Sequence, residues 1–203
     1  RQEPFTLLEV ADRPILELGG PGDFDEFGIM PGSLVQRGEE LFLFYAGWTR
    51  LQSVPYKWSI GLAVSHDQGR SFTRYAKGPL LGPTLQDPYL QACCRVYRVN
   101  DRWMMWYQSG LGWNKVDGHY ESVYQTKLAQ SEDLLNWEVD PKLVLEPKLP
   151  DECQTSASYL HFDGRHHLFY SYRHGIDFRN RDRGYRIGYA VSDDAYHWQR
   201  QDE

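Results

Sequence analysis

The chain has 203 residues, a formal net charge of -6 from 22 Lys and Arg against 28 Asp and Glu, and 15% aromatic side chains. That length allows one or two domains with a sizeable core, and the scattered basic residues exclude the clustered positive surface that nucleic acid or an anionic membrane face requires. No apolar run reaches the roughly 18 residues that span a bilayer as a helix, no signal peptide is legible although the chain begins at Arg1, and a cytoplasmic location is expected.

The first 22 residues read as the outer part of a preceding unit. Phe5-Thr-Leu-Leu-Glu-Val10 has a strand pattern, and Arg13-Pro-Ile-Leu-Glu17 resembles the later connectors Lys77-Gly-Pro-Leu-Leu81 and Lys142-Leu-Val-Leu-Glu146. Gly19-Gly-Pro-Gly22 then makes a loop.

Beyond it, Leu41-Phe-Leu-Phe-Tyr-Ala-Gly-Trp48 returns as Trp103-Met-Met-Trp-Tyr-Gln-Ser-Gly110 and His166-His-Leu-Phe-Tyr-Ser-Tyr-Arg173, with the central Tyr45, Tyr107 and Tyr170 spaced 62 and 63 residues apart. Each copy is dense in aromatic and β-favouring residues, as a strand buried on both faces would be. Each follows a polar turn (Gly38-Glu-Glu, Asn100-Asp-Arg, Asp163-Gly-Arg) and an earlier strand pattern over 28–36, 90–99 and 156–162. A third strand ends in Ser65, Ser131 or Ser192, and an aromatic, Phe72, Trp137 or Trp198, opens a fourth.

Four antiparallel strands per unit, repeated with no helical period, predict an all-β propeller with blades over about 28–75, 90–139 and 154–201. Closed rings of this kind need four or more blades, so the chain is expected to form a single propeller domain, or a fragment of a five-bladed one, whose ring missing blades or another chain complete.

Ser65-His-Asp-Gln-Gly-Arg-Ser-Phe72 fits the Asp-box pattern, with Ser131-Glu-Asp and Ser192-Asp-Asp as degraded copies. Asp67, Asp133 and Asp194 are expected to close turns by accepting backbone N–H bonds on the lower face, so they are not candidates for chemistry. Ahead of each first strand stands another acidic cluster: Asp23-Phe-Asp25-Glu26, Asp87-Pro-Tyr89 and Asp151-Glu152-Cys153. Asp25 and Asp87 precede their blade tyrosine by 20 residues and Glu152 precedes its own by 18, so each blade is expected to deliver one carboxylate to the upper rim. Carboxylates converging there are what glycosidic cleavage requires, although an aspartate before a strand also forms a turn on its own account. Loops between second and third strands add Trp48, Tyr56, Trp113, His119, Tyr120 and Arg173, whose rings suit sugar faces and whose guanidinium suits hydroxyls or an anion. The basic run over 173–183 reads as a solvated loop.

Three cysteines, Cys93, Cys94 and Cys153, have neither a disulfide framework nor metal-ligand spacing, and no cofactor motif is present. Buried thiols are expected.

The succession Phe24-Asp-Glu-Phe-Gly-Ile-Met-Pro-Gly-Ser33, Phe44-Tyr-Ala-Gly-Trp48, Ile60-Gly-Leu-Ala-Val-Ser-His-Asp67, Trp103-Met-Met-Trp-Tyr107 and Tyr185-Arg-Ile-Gly-Tyr-Ala-Val-Ser192 resembles the five-bladed propellers related to arabinanases, xylosidases and invertases, and more closely their uncharacterised glycosidase-like branch. That resemblance implies three acidic residues from separate blades. Asp87 matches the supporting aspartate, and Glu152, followed by Cys as in invertases, matches the acid; the first-blade aspartate has no counterpart, and Asp25 is taken here as base or nucleophile. A glycoside hydrolase is therefore the leading expectation. The alternatives are phosphorolysis with phosphate held by Arg173, His174 or Arg181, a non-catalytic carbohydrate-binding propeller, and a protein-interaction scaffold. Carbohydrate is the expected partner, with no nucleic acid and no membrane.

Overall fold

The computed structural model describes residues 7, 9–180 and 182–202; the strand expected from Phe5 falls largely outside them. The described chain is all-β and forms three four-stranded antiparallel sheets. The first holds β1 (Gly28–Arg37), β2 (Glu40–Arg50), β3 (Tyr56–Ser65) and β4 (Thr73–Arg74). The second holds β5 (Gln91–Val99), β6 (Arg102–Val116), β7 (His119–Ser131) and β8 (Glu138–Leu143). The third holds β9 (Glu152–Phe162), β10 (Arg165–His174), β11 (Arg186–Ser192) and β12 (Gln199–Arg200). Strands follow chain order within each sheet, and the first strands β1, β5 and β9 lie side by side. This is the blade arrangement of a propeller, as the repeat predicts.

The polar turns between first and second strands are tight because Gly38, Asn100 and Asp163 each adopt φ between 50° and 62°, the left-handed conformation that such residues reach at little cost. The serine–aspartate turns close as their sequence suggests. The Ser65, Ser131 and Ser192 hydroxyls donate to Asp67, Asp133 and Asp194 at 2.7, 3.0 and 3.0 Å, and each aspartate accepts at least one backbone N–H. These bonds hold all three carboxyls well below the usual carboxylate range, with the Ser71 hydroxyl, the Asn136 backbone N–H and the His197 side chain the leading cause in turn. The aromatics that follow enter the layer between sheets: Trp137 meets Phe44 edge-on at 5.9 Å, and Trp198 meets Trp106 at 6.2 Å.

Two hydrophobic layers result. Met105 and Tyr107 face the first sheet together with Phe44, Ile60 and Val96, while the alternate residues Met104 and Trp106 face the third with Leu168 and Tyr170. Strand β6 is thus buried on both faces, and so is the middle of β2. Strand β10 departs from that expectation: Leu168, Tyr170 and Tyr172 are buried, but Phe169 on the other face is exposed, as are Leu160, Phe162 and Ile187 beside it.

Each blade tyrosine donates to a buried carboxylate. Tyr45 reaches Asp25 at 2.9 Å, Tyr107 reaches Asp87 at 2.5 Å, and Tyr170 reaches Asp202 at 2.8 Å. A cation completes each clamp: Arg74 on Asp25, Lys127 on Asp87, and Arg200 on both Glu152 and Asp202. Burial, and after it the adjoining carboxylate, pushes all three phenols far above their ordinary pKa, so they stay protonated donors. The connectors join in, since the Glu17 carbonyl accepts from Arg74 and the Glu146 carbonyl from Arg200.

The clamps contribute to stability in a way that substitution separates. Asp87→Ala leaves Lys127 buried without its counter-ion and is expected to lower unfolding stability by about 3–5 kcal/mol, whereas Asp87→Ala with Lys127→Met, which removes both charges, costs much less. Urea denaturation of both variants checks this, and a loss below about 1 kcal/mol for the single variant contradicts it.

Candidate functional site

A cavity of about 770 Å³ opens where the loops between second and third strands gather. Its walls come from the loop after β2, the hairpin from β6 to β7, and the loop from β10 to β11; its floor comes from the first strands at Met30, Cys93 and Ser156. The floor residues reach inward because the first strands bulge. Pairing shifts between Pro31 and Ser33 in β1, between Ala92 and Arg95 in β5, and opposite Phe169 and Ser171 in β9, and Cys93 and Ser156 take left-handed φ values of 47° and 54°. Strain of this kind in the middle of two strands is held by the surrounding sheet and gathers at functional sites.

One wall is aromatic. Tyr56 stacks on Trp58 with centroids 5.0 Å apart, Trp48 meets both rings edge-on at 5.4 Å, and Trp113 meets Tyr56 at 5.2 Å. The Tyr56 hydroxyl bonds Ser122 across the blade boundary at 3.0 Å. Of the six expected binding residues, Tyr56, His119, Tyr120 and Arg173 line the cavity, while Trp48 and Trp113 meet Tyr56 edge-on.

The opposite wall is polar. Glu121, almost buried, is gripped by Arg179 and by His119 Nε2 at 3.0 Å. Arg173 is 2% exposed; its Nε donates to the Tyr124 hydroxyl at 2.8 Å, and its guanidinium lies 3.6 Å from the Phe178 ring centroid. Thr155 donates to the Gln108 carbonyl oxygen at 2.6 Å, which fixes that amide in the floor.

Asp25, Asp87 and Glu152 are not lining residues of this cavity. They are 0%, 2% and 3% exposed, each clamped within its own blade. Asp25 is taken by Tyr45 and Arg74; Asp87 by Tyr107, Ser109 and Lys127; Glu152 by Arg200, the Gln154 amide and two backbone N–H groups. The cavity between the loops is therefore not built on these three carboxylates. The 20-residue spacing places Asp25 and Asp87 against the phenol of the neighbouring strand, so that it marks a hydrogen-bond partner.

Glu121, Gln108, Tyr124 and Tyr185 are not among the expected binding residues, and Phe178 and Arg179 belong to the run over 173–183 that reads as a solvated loop but here lines the cavity. For Glu121 a signal existed: strand alternation puts residues 119 and 121 on one face, so a cavity-facing His119 carries Glu121 with it. The others lie on loops or on strand faces whose direction sequence does not give. Of the three basic residues considered for phosphate, His174 is bonded to Asp151 at 2.7 Å and Arg181 falls outside the described residues.

A family model described as the glycosyl hydrolases family 32 N-terminal domain matches residues 16–156. The chain belongs to that family. Like other members it can be placed among known propellers: a β-fructofuranosidase of Bombyx mori solved in complex with sucrose superposes with a TM-score of 0.63 at 20% identity, covering 84% of this chain and 36% of that one. An uncharacterised protein of Mycobacterium tuberculosis is 30% identical over 192 residues, 95% of this chain and 61% of its own length. A β-1,2-mannobiose phosphorylase of Thermoanaerobacter sp. is 25% identical over 175 residues, 82% of this chain and 54% of its own length. The family 32 domain described here thus spans roughly three fifths or less of the curated relatives it matches.

The β10–β11 loop in the cavity wall is anchored by Asp151, which accepts from His174 at 2.7 Å, Arg183 at 2.8 Å and the Ile176 N–H at 3.3 Å. Burial acts to raise the Asp151 pKa, but those partners outweigh it and hold the carboxyl below its ordinary value. A depressed carboxylate pKa contributes stability above the ordinary value, about 4, and loses it as pH falls through the folded value. Hydrogen exchange at Ile176, corrected for intrinsic rate, is expected to lose protection below about pH 4, and Asp151→Asn to be less protected at pH 7 with no such acid step. Identical profiles for the two proteins contradict this anchoring.

Proposed function

We propose that the cavity between Tyr56 and Arg173 seats a sugar, and that this family 32 domain belongs to a glycoside-cleaving enzyme. The observation that carries the reading is the pairing of walls: a braced aromatic platform opposite an ordered set of hydrogen-bonding groups, on the face where the loops converge. Aromatic faces cover the apolar side of a sugar ring, while Glu121, Gln108 and Ser122 offer both acceptors and donors to its hydroxyls. Membership of a glycosyl hydrolase family supports the same reading.

Glu121 is the carboxylate placed to touch the sugar. Acid–base hydrolysis takes two carboxylates, and for Asp87 or Glu152 to take part the clamp that holds it would have to open. Substitution therefore separates the roles. Glu121→Gln, with little loss of stability, and Tyr56→Ala, at some cost to the aromatic cluster around it, are each expected to weaken oligosaccharide binding about tenfold or more, whereas Glu152→Gln is expected to lower thermal stability. Calorimetric titration against a panel of neutral and acidic oligosaccharides, followed by product analysis with and without inorganic phosphate, makes the comparison. Binding without turnover favours a recognition module, turnover only with phosphate favours phosphorolysis, and binding of no sugar at all sinks the proposal.

A further inference from the structure

Among the described residues, the side chains of Lys127, Arg173 and Arg200 are basic and held out of solvent. Lys127 has Asp87, and Arg200 has Glu152 and Asp202. Arg173 pairs with no carboxylate of the described chain, although it is 2% exposed. Its partners are neutral: the hydroxyls of Tyr124 and Tyr185 on Nε, the His174 carbonyl on Nη1 and the Ser122 carbonyl on Nη2. The rings of Phe178, Tyr124 and Tyr185 surround it at 3.6, 4.9 and 5.7 Å. These contacts orient the guanidinium and offset part of its desolvation, yet they leave a full positive charge in a confined place.

The nearby carboxylates are committed elsewhere: Glu121 to Arg179 and His119, Asp151 to His174 and Arg183, Glu152 to Arg200. A guanidinium has five N–H groups, and those bonds engage one on Nε and one on each terminal nitrogen, so each terminal nitrogen keeps a donor. Arg173 faces the cavity, and so does Ser171, two residues earlier on the same face of β10.

We infer that the ligand of this cavity carries an oxyanion, the carboxylate of an acidic sugar or a phosphate ester on the sugar, and that Arg173 is the residue that neutralises it. The inference rests on the carbohydrate reading above and narrows it to acidic glycans. Charge-assisted bonds from a preoriented guanidinium favour the acidic sugar over its neutral parent by about ten- to a hundredfold.

The experiment titrates glucuronate, galacturonate and glucose 6-phosphate into the protein, each beside glucose or galactose as the neutral parent, and inorganic phosphate alone. The expected result is at least about a tenfold preference for an acidic sugar in the unaltered chain. Rising salt erodes that preference, Arg173→Lys reduces it, and Arg173→Gln brings it close to unity. If Arg173→Gln fails to fold by circular dichroism, the salt series on the unaltered chain decides alone. Neutral parents binding as well as the acids overturn the inference and leave the sugar site standing. Inorganic phosphate matching glucose 6-phosphate, with no preference for the uronates, also overturns it, because the anion is then separate from the sugar. Binding of none of these probes overturns both this inference and the carbohydrate reading.

Discussion

The fold depends on a buried bond between a phenol on the second strand of each blade and a carboxylate delivered from outside the strand set, closed by a cation. The three blades meet this requirement by two different routes. In the first and third, the residue opposite the tyrosine is Gly61 or Gly188, where a Cβ would stand 2.6 or 2.3 Å from the ring, and the cation comes from the fourth strand as Arg74 or Arg200. In the second, Lys127 replaces the glycine opposite Tyr107 and supplies the charge itself, and Val139 occupies the fourth-strand position where the others carry arginine. Glycine with arginine and lysine with valine are thus two solutions to one electrostatic demand. A buried carboxylate left without a cation would be strongly unfavourable, which ties the two positions together.

The carboxylate source shifts in the same way. Asp25 and Asp87 stand 20 residues before their tyrosines, but that place in the third blade is Pro150, and Asp202 beyond β12 takes the phenol instead while Glu152 shares Arg200. This consumption of acidic side chains inside the sheets determines what remains for the surface above them. The cavity is left with Glu121, two arginines and a braced aromatic wall, carried on loops whose geometry the clamped sheets hold steady. The bulges at Cys93 and Ser156 lie in the first strands of the clamped blades and give the cavity floor its shape.

Much of this was legible from residues alone, because the features concerned are local and periodic. The tyrosine repeat, the hairpin turns and the serine–aspartate turns follow from alternation and turn chemistry, and the blade topology places residues 48, 56, 113, 119 and 173 on the loop-bearing face. The chemistry of the acidic residues was not legible in that way. Position along the chain shows that Asp25 and Asp87 stand at equivalent points, yet whether such a side chain turns to the channel or to the phenol beside it depends on rotamer and packing. Asp202 gave no periodic signal, and Phe178 and Arg179 sit in a loop folded by the non-local anchor at Asp151. Strand β10 shows the same limit: its sequence reads as buried on both faces, while Phe169 is exposed.

The account places recognition in the loop-walled cavity and structural duty in the buried carboxylates. A crystal structure of the protein soaked with an oligosaccharide that it binds tests that division most directly. The account predicts sugar density over Tyr56, within hydrogen-bonding distance of Glu121, with Asp25, Asp87 and Glu152 still clamped. Density against Asp87 or Glu152, with Lys127 or Arg200 swung away, would contradict it.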